Sequence, residues 1–129
     1  MIWKLIFEGR IACKTDGTEV FFNSEVQDWG LSVKDLQIGV LILGRSSAGN
    51  AKTRVRIEDG FEADPNGLNN VTEVIAPTIV NPLQLPKQYR GVLAGSGVPY
   101  FRSSLGLAAN SGAVEESINV RLYAGGKAY

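Results

Sequence analysis

The amino-acid sequence predicts an all-β fold: a single domain over residues 1–129, built as a β-sandwich or jelly roll of about seven to nine antiparallel strands. Three observations carry this. Apolar and polar residues alternate with a period of two in most segments, the pattern of a strand with one covered face. Clusters of Gly, Pro, Asn, Asp and Ser punctuate those segments, as at Asp64-Pro65-Asn66-Gly67 and Asn110-Ser111-Gly112. No window of eleven or more residues carries an apolar stripe at helical spacing; Ser24 to Leu36 comes nearest, and Gly30 breaks it.

Taken in order, Trp3, Leu5 and Phe7 alternate with Lys4, Ile6 and Glu8, so the first strand should bury one face strongly and the other in part. Asp16-Gly17, a strong hairpin dipeptide, stands between it and Val20-Phe21-Phe22. Trp29 to Val33 reads as strand, and Ile38 to Leu43, with Gly39 and Gly44 at its ends, as a central strand covered on both sides. Lys52 to Glu58 is the clearest strand, with Thr53, Val55 and Ile57 facing one way and Lys52, Arg54, Arg56 and Glu58 the other. Phe101, Ser103, Leu105 and Leu107 alternate in the same manner, as do Ile118, Val120 and Leu122. The predicted core is Thr53, Val55, Ile57, Ile118, Val120 and Leu122. Turn signals at Ser46 to Asn50, Asn81-Pro82 and Gly95-Ser96-Gly97 separate the rest. Residues 124–129 read as a flexible or docking tail, two glycines ahead of a terminal Tyr129.

Composition narrows the function. Hydrophobic residues make up 44% and charged residues 20%, the balance of a globular chain. Thirteen basic and thirteen acidic residues cancel, which argues against a nucleic-acid binder, since phosphate binding needs a basic excess. The charge is polarised: residues 1–73 carry 8 basic and 11 acidic groups, residues 74–129 carry 5 and 2, a distribution suited to oriented self-association. Histidine is absent and Cys13 is alone, so the usual general base, a disulfide and a Cys/His metal site are all missing. Cys13 reads as a small buried hydrophobe in a reducing compartment. The N-terminus does not read as a signal peptide, and the longest apolar stretch is far shorter than a membrane span.

The candidate chemical groups have plain structural readings. Glu58-Asp59, Glu62 with Asp64, and Glu115-Glu116 are acidic pairs, but a glycosidase needs carboxylates facing across a sugar, and these read as solvated loop residues. Asp59, Glu62, Asp64 and Asn66 offer oxygens to calcium at a spacing that fits no defined loop. Gly95-Ser96-Gly97 lacks the context of a nucleophile elbow or a phosphate loop. Asn70-Val71-Thr72 fits a glycosylation acceptor, read as coincidental. Trp3 and Trp29 are read as core residues rather than sugar platforms. Arg54, Arg56, Arg102 and Arg121 would line one polar sheet face if their strands were neighbours. No catalytic residue, cofactor or metal ligand is assigned.

The second half supports a more specific reading. The charged–apolar strand Lys52 to Glu58 is followed by the aliphatic stretch Val74 to Val80, then by Leu83-Gln84-Leu85-Pro86-Lys87-Gln88-Tyr89-Arg90. Val98-Pro99-Tyr100-Phe101-Arg102 to Leu107 and a closing strand from Ile118 to Tyr123 complete the order. This layout, over roughly residues 38–123, resembles the capsid cement and decoration proteins of tailed bacteriophages. The longer N-terminal region and the polar insert Asp64 to Asn70 depart from it. The resemblance implies a non-catalytic virion protein, assembled in the host cytoplasm. It would be a homo-oligomer, partnered by the major capsid protein or another virion protein, with neither nucleic acid nor membrane as ligand. Arg102, Arg121, Tyr123 and Tyr129 are the expected protein-contact residues, since aromatics and Arg are enriched at interface centres. The alternatives are another minor virion protein, at the head–tail junction or in a fibre, and a carbohydrate-binding module, whose mark would be exposed aromatic rings.

Overall fold

The computed structural model describes residues 2–28, 33–45, 51–80, 82–93 and 99–128. Nine strands run through them: β1 (Ile2–Ala12), β2 (Val20–Asn23), β3 (Gln27–Asp28), β4 (Val33–Arg45), β5 (Ala51–Gly60), β6 (Asn70–Val80), β7 (Lys87–Leu93), β8 (Tyr100–Ala109) and β9 (Ser117–Ala128). Two short 3-10 turns, Pro65–Gly67 and Pro82–Gln84, complete the regular structure. Sheet A has the order β1-β9-β4-β7 and sheet B the order β2-β8-β5-β6, with β3 also pairing with β8.

The pairing is nested. β5 pairs with β6, β4 with β7, β2 with β8, and β1 with β9, all antiparallel. The chain is in effect one long hairpin folded at the β5–β6 connection and wound into two sheets, which is jelly-roll topology. Segments far apart in sequence therefore end up as neighbours, and period-two alternation puts one face of each strand between the sheets. Ile38, Val40, Ile42, Ile118, Val120 and Leu122 from sheet A meet Val55, Ile57, Phe101, Leu105 and Leu107 from sheet B, all buried. The six residues expected in the core, Thr53 included, are all there.

Four expectations are corrected. Asp16-Gly17 does not close a hairpin, because β1 pairs with β9 in one sheet and β2 with β8 in the other. It makes a corner between the sheets: the Thr18 amide donates to Asp16 Oδ1 at 2.9 Å, and Gly17 takes a φ of 84°. A Cβ there would stand 2.8 Å from the Gly112 carbonyl oxygen, so glycine is demanded by both space and conformation.

The first strand also differs. Its register against β9 shifts between Leu5 and Phe7, so Ile6 is an extra residue, a β-bulge. The bulge reverses the alternation: Phe7 lies opposite the buried Leu122, while Leu5 lies opposite Tyr123 and Trp3 opposite Gly125 on the outside. Trp3 and Leu5 are consequently exposed rather than core residues.

β4 is central in sheet A, between β9 and β7, yet it is covered on one side only. Ile38, Val40 and Ile42 are buried, whereas Leu43 on the outer face is exposed.

Finally, residues 124–128 are not a tail. They are the last part of β9, hydrogen-bonded between β1 and β4: Gly125 pairs with Trp3 on one side and Gln37 on the other, and Ala124 is fully buried. Two glycines suggested a hinge because their absent side chains hide the alternation that would have marked a strand. Tyr129, Trp29 and Gly95-Ser96-Gly97 lie outside the described residues.

Candidate functional site

The two outer faces of the sandwich are chemically unlike. Alternation sends Lys52, Arg54, Arg56 and Glu58 of β5, and Arg102 of β8, to the outer face of sheet B. There Arg54 and Arg102 pair with acids. Arg54 donates to Glu19 through two hydrogen bonds, of 3.0 and 2.6 Å, and lies 3.6 Å from Glu73. The Glu19 hydrogen bond, above all, holds the Arg54 guanidinium more firmly protonated than usual. Arg56 stacks on the Phe21 ring at 3.7 Å, and Arg102 donates to Glu58 at 2.5 Å. Gly106 leaves the space that Glu19 and Phe21 occupy. Arg54 and Arg102 are paired with acids, and Arg56 packs on Phe21 with no hydrogen-bond partner for its Nε, so the face is no bare basic patch.

The four expected contact residues do not assemble. Arg102 is committed to Glu58 on sheet B. Arg121 and Tyr123 lie on the outer face of sheet A, the opposite side of the sandwich, because β9 belongs to the other sheet. Arg121 is held there by Glu8 at 3.1 Å, which raises its pKa, with a lesser contribution from Tyr123. The arginines of β5, β8 and β9 therefore share no single face.

The outer face of sheet A has a different composition. Across its four strands in register lie Trp3 and Leu5 of β1, then Arg121, Tyr123 and Gly125 of β9. Gly39, Leu41 and Leu43 of β4 follow, then Gln88, Arg90 and Val92 of β7. Four exposed large apolar side chains belong to this face: Trp3 (38% exposed), Leu5, Leu43 (41%) and Val92 (49%). Two glycines shape its centre. A Cβ on Gly125 would lie 2.4 Å from Cε3 of Trp3, and one on Gly39 would lie 3.5 Å from Cζ3, so the indole occupies the bed that both glycines leave. Arg90 sits over the indole at 5.6 Å from its centre, in cation–π range.

Beside the indole runs an open groove of about 250 Å³, lined by Trp3, Gly39, Leu41, Gln88, Arg90 and Tyr123 among others. That is below the roughly 300–1,000 Å³ of pockets for drug-sized ligands, and fits one ring or one side chain of a larger partner. Of the groove residues only Tyr123 was singled out as a contact. Trp3, Gln88 and Arg90 were missed, as were the exposed Leu43 and Val92 on the same face. The usable signal was the pairing of Leu41 and Leu43 on the phase opposite to Ile38, Val40 and Ile42.

The acidic residues are spoken for locally or scattered. Asp59 is buried and accepts from Asn70 Nδ2 at 3.0 Å; burial pushes its carboxyl up from the usual range. Asp64 caps the Pro65–Gly67 turn by accepting from the Asn66 amide. Among the described residues no three of His, Cys, Asp and Glu come together as a metal site. Cys13 is buried, and its sulfur accepts from the Glu116 amide at 3.2 Å.

No family model and no curated protein matches this chain. Solved structures do. The carbohydrate-binding module TmCBM61, in complex with β-1,4-galactotriose, superposes with a TM-score of 0.57 at 10% identity, covering 93% of this chain and 70% of that one. The infectious bursal disease virus Gx strain gives 0.61 at 6% identity, and the VP2 subviral particle of the same virus 0.59 at 9%, each over 95% of this chain. The fold is a jelly roll. It is common to viral capsid proteins and carbohydrate-binding modules, and this chain spans about a third of the length of the capsid proteins, 32% and 31%. At 6–10% identity the likeness shows the fold alone.

Proposed function

We propose that this chain is a non-catalytic structural component of a virus particle, of the cement or decoration kind, which binds shell protein through the outer face of sheet A. The observation that carries the reading is the contrast between the two faces: sheet B pairs Arg54 and Arg102 with acids, whereas sheet A leaves Trp3, Leu5, Leu43 and Val92 exposed, Trp3 at the wall of a groove. Contiguous exposed apolar surface on a soluble fold marks an interaction site. Arg121 and Tyr123 are contact residues in this reading; Arg102 serves the fold through Glu58. The capsid-type jelly roll supports a place in a virion, with the major capsid protein or another virion protein as partner.

The test uses particles lacking the protein, to which wild-type chain or the exposed-face variant Leu43→Glu/Val92→Glu is added. Copies bound per particle should fall at least tenfold with the variant, since two charges would be buried against an apolar partner. Unchanged binding would reject this face as the docking surface. A second reading, sugar binding, is favoured by the Trp3 and Tyr123 rings beside Gln88 and Arg90, and by the likeness to TmCBM61. Calorimetric titration with galacto-oligosaccharides decides it: saturable heat that Trp3→Ala abolishes would favour sugar over shell protein.

A further inference from the structure

We propose that the groove on sheet A receives the β5–β6 loop of a second copy of the chain, with Phe61 entering beside Trp3 and the flanking acids meeting the cations around it. This rests on the reading of the outer face of sheet A as the binding face, and names one of its partners.

The donor is the loop. Phe61 is 88% exposed, the most exposed aromatic side chain among the described residues, and Glu62 and Asp64 beside it are exposed as well. An aromatic ring held in water is unfavourable unless a partner covers it. The loop is held in shape. The Gly67 amide donates to the Asp64 carbonyl at 2.7 Å, the Leu68 amide donates to the Pro65 carbonyl at 3.2 Å, and Leu68 is buried beneath. Gly60 packs so closely on Gly67 that a Cβ would fall 2.0 Å from the Gly67 carbonyl oxygen. A loop fixed beforehand loses little entropy on docking.

The acceptor is complementary in shape and charge. The groove offers Trp3 and Tyr123 as aromatic neighbours and has room for one ring. Cations stand around it, Arg90 in its lining and Lys34 and Lys127 on the same sheet. Lys127 follows Tyr123 and Gly125 on the outer face, and its register partner is Lys34, a like-charged pair that costs stability. Among the described residues no ion pair joins a carboxylate to Arg90, Lys34 or Lys127, and Glu8, an acid of this face, is engaged with Arg121. Glu62 and Asp64 of a neighbouring copy supply the missing charge. Loop and groove are separate patches, so each copy carries one donor and one acceptor, as a reciprocal dimer or closed ring requires.

Sedimentation velocity on the isolated chain tests this without any particle. Mass should rise with concentration, and association should weaken with salt. Phe61→Ser, at a site too exposed to matter for folding, and Arg90→Glu should each weaken association about tenfold or more. The decisive arm is a charge swap. Glu62→Lys/Asp64→Lys and Arg90→Glu/Lys127→Glu should each be monomeric alone and should associate when mixed. A chain monomeric at every concentration, association indifferent to these variants, or a mixture that stays monomeric would each overturn the proposal. None of those results touches the particle-binding test, and lost particle binding with intact self-association would fell the shell reading alone.

Discussion

If the indole of Trp3 fills the space above Gly125, adding one methyl group there must displace it. The Cβ of Gly125→Ala would stand 2.4, 2.6 and 2.7 Å from Cε3, Cδ2 and Cζ3 of the indole, all inside any real contact distance. β9 is clamped between β1 and β4, so the strand cannot retreat and the ring must move. Overpacking of this kind costs about 1–3 kcal/mol, offset by the roughly 0.5–1 kcal/mol that alanine gains over glycine in a strand. The net expectation is a loss of about 1–2 kcal/mol. With Trp3→Ala as background the clash is gone, and the same substitution should stabilise by about 0.5 kcal/mol. The coupling energy of the double-mutant cycle is then about 2 kcal/mol, within the range of residues in contact. Urea unfolding of the four proteins, read as midpoints at constant slope, measures it. A coupling indistinguishable from zero would refute the placement of the indole, and with it the groove.

Truncation at Tyr123 should destabilise the protein rather than trim a tail. It removes ladder bonds to both neighbours of β9, at about 1 kcal/mol each, together with the buried Ala124, so the thermal midpoint should fall steeply; an unchanged midpoint would contradict the strand. Asp59→Asn should stabilise the fold at neutral pH. Burial raises the folded-state pKa of Asp59 above its ordinary 3.8, so the folded form holds its proton where the unfolded form has lost it, and stability falls as pH rises through that window. The advantage of the variant should therefore be full above the window and vanish below 3.8, while Asn70 keeps an oxygen to donate to; a pH-independent difference would refute the burial argument.

The fold class was legible because alternation reports a covered face directly, and Val55, Ile57, Ile118, Val120 and Leu122 all obey it. What period-two reading does not carry is a change of phase. The bulge at Ile6 turned Trp3 and Leu5 outward, and the pattern before it looked like a core strand. Nor does alternation say which sheet a strand joins. Arg102 and Arg121 look alike in sequence, each an Arg on the polar phase of a strand two residues from a tyrosine, yet nested pairing puts them on opposite sides. Glycine hid the rest: Gly39 and Gly125 carry no pattern, and their significance appears only when β9 and β4 stand side by side beneath Trp3.

The asymmetry of the two faces bears on why a sandwich of this kind would bind in one orientation. Both faces are built from strands with one covered side, and each needs a solution for its outer residues. Sheet B solves it internally, with Glu19, Glu58 and Glu73 opposite Arg54 and Arg102. Partly exposed pairs of this sort stabilise by little, about 1 kcal/mol or less each, but they leave Arg54 and Arg102 with no charge for a partner to satisfy. Sheet A leaves apolar surface and, among the described residues, three cations joined to no carboxylate by an ion pair, surface best covered by something apolar and acidic. A partner that docked on sheet B would have to break ion pairs already made, whereas on sheet A it would complete contacts not yet made. Discrimination between the faces thus follows from cost on one side as much as from gain on the other. Opening the Arg102–Glu58 pair by Arg102→Gln should accordingly leave association at sheet A unchanged.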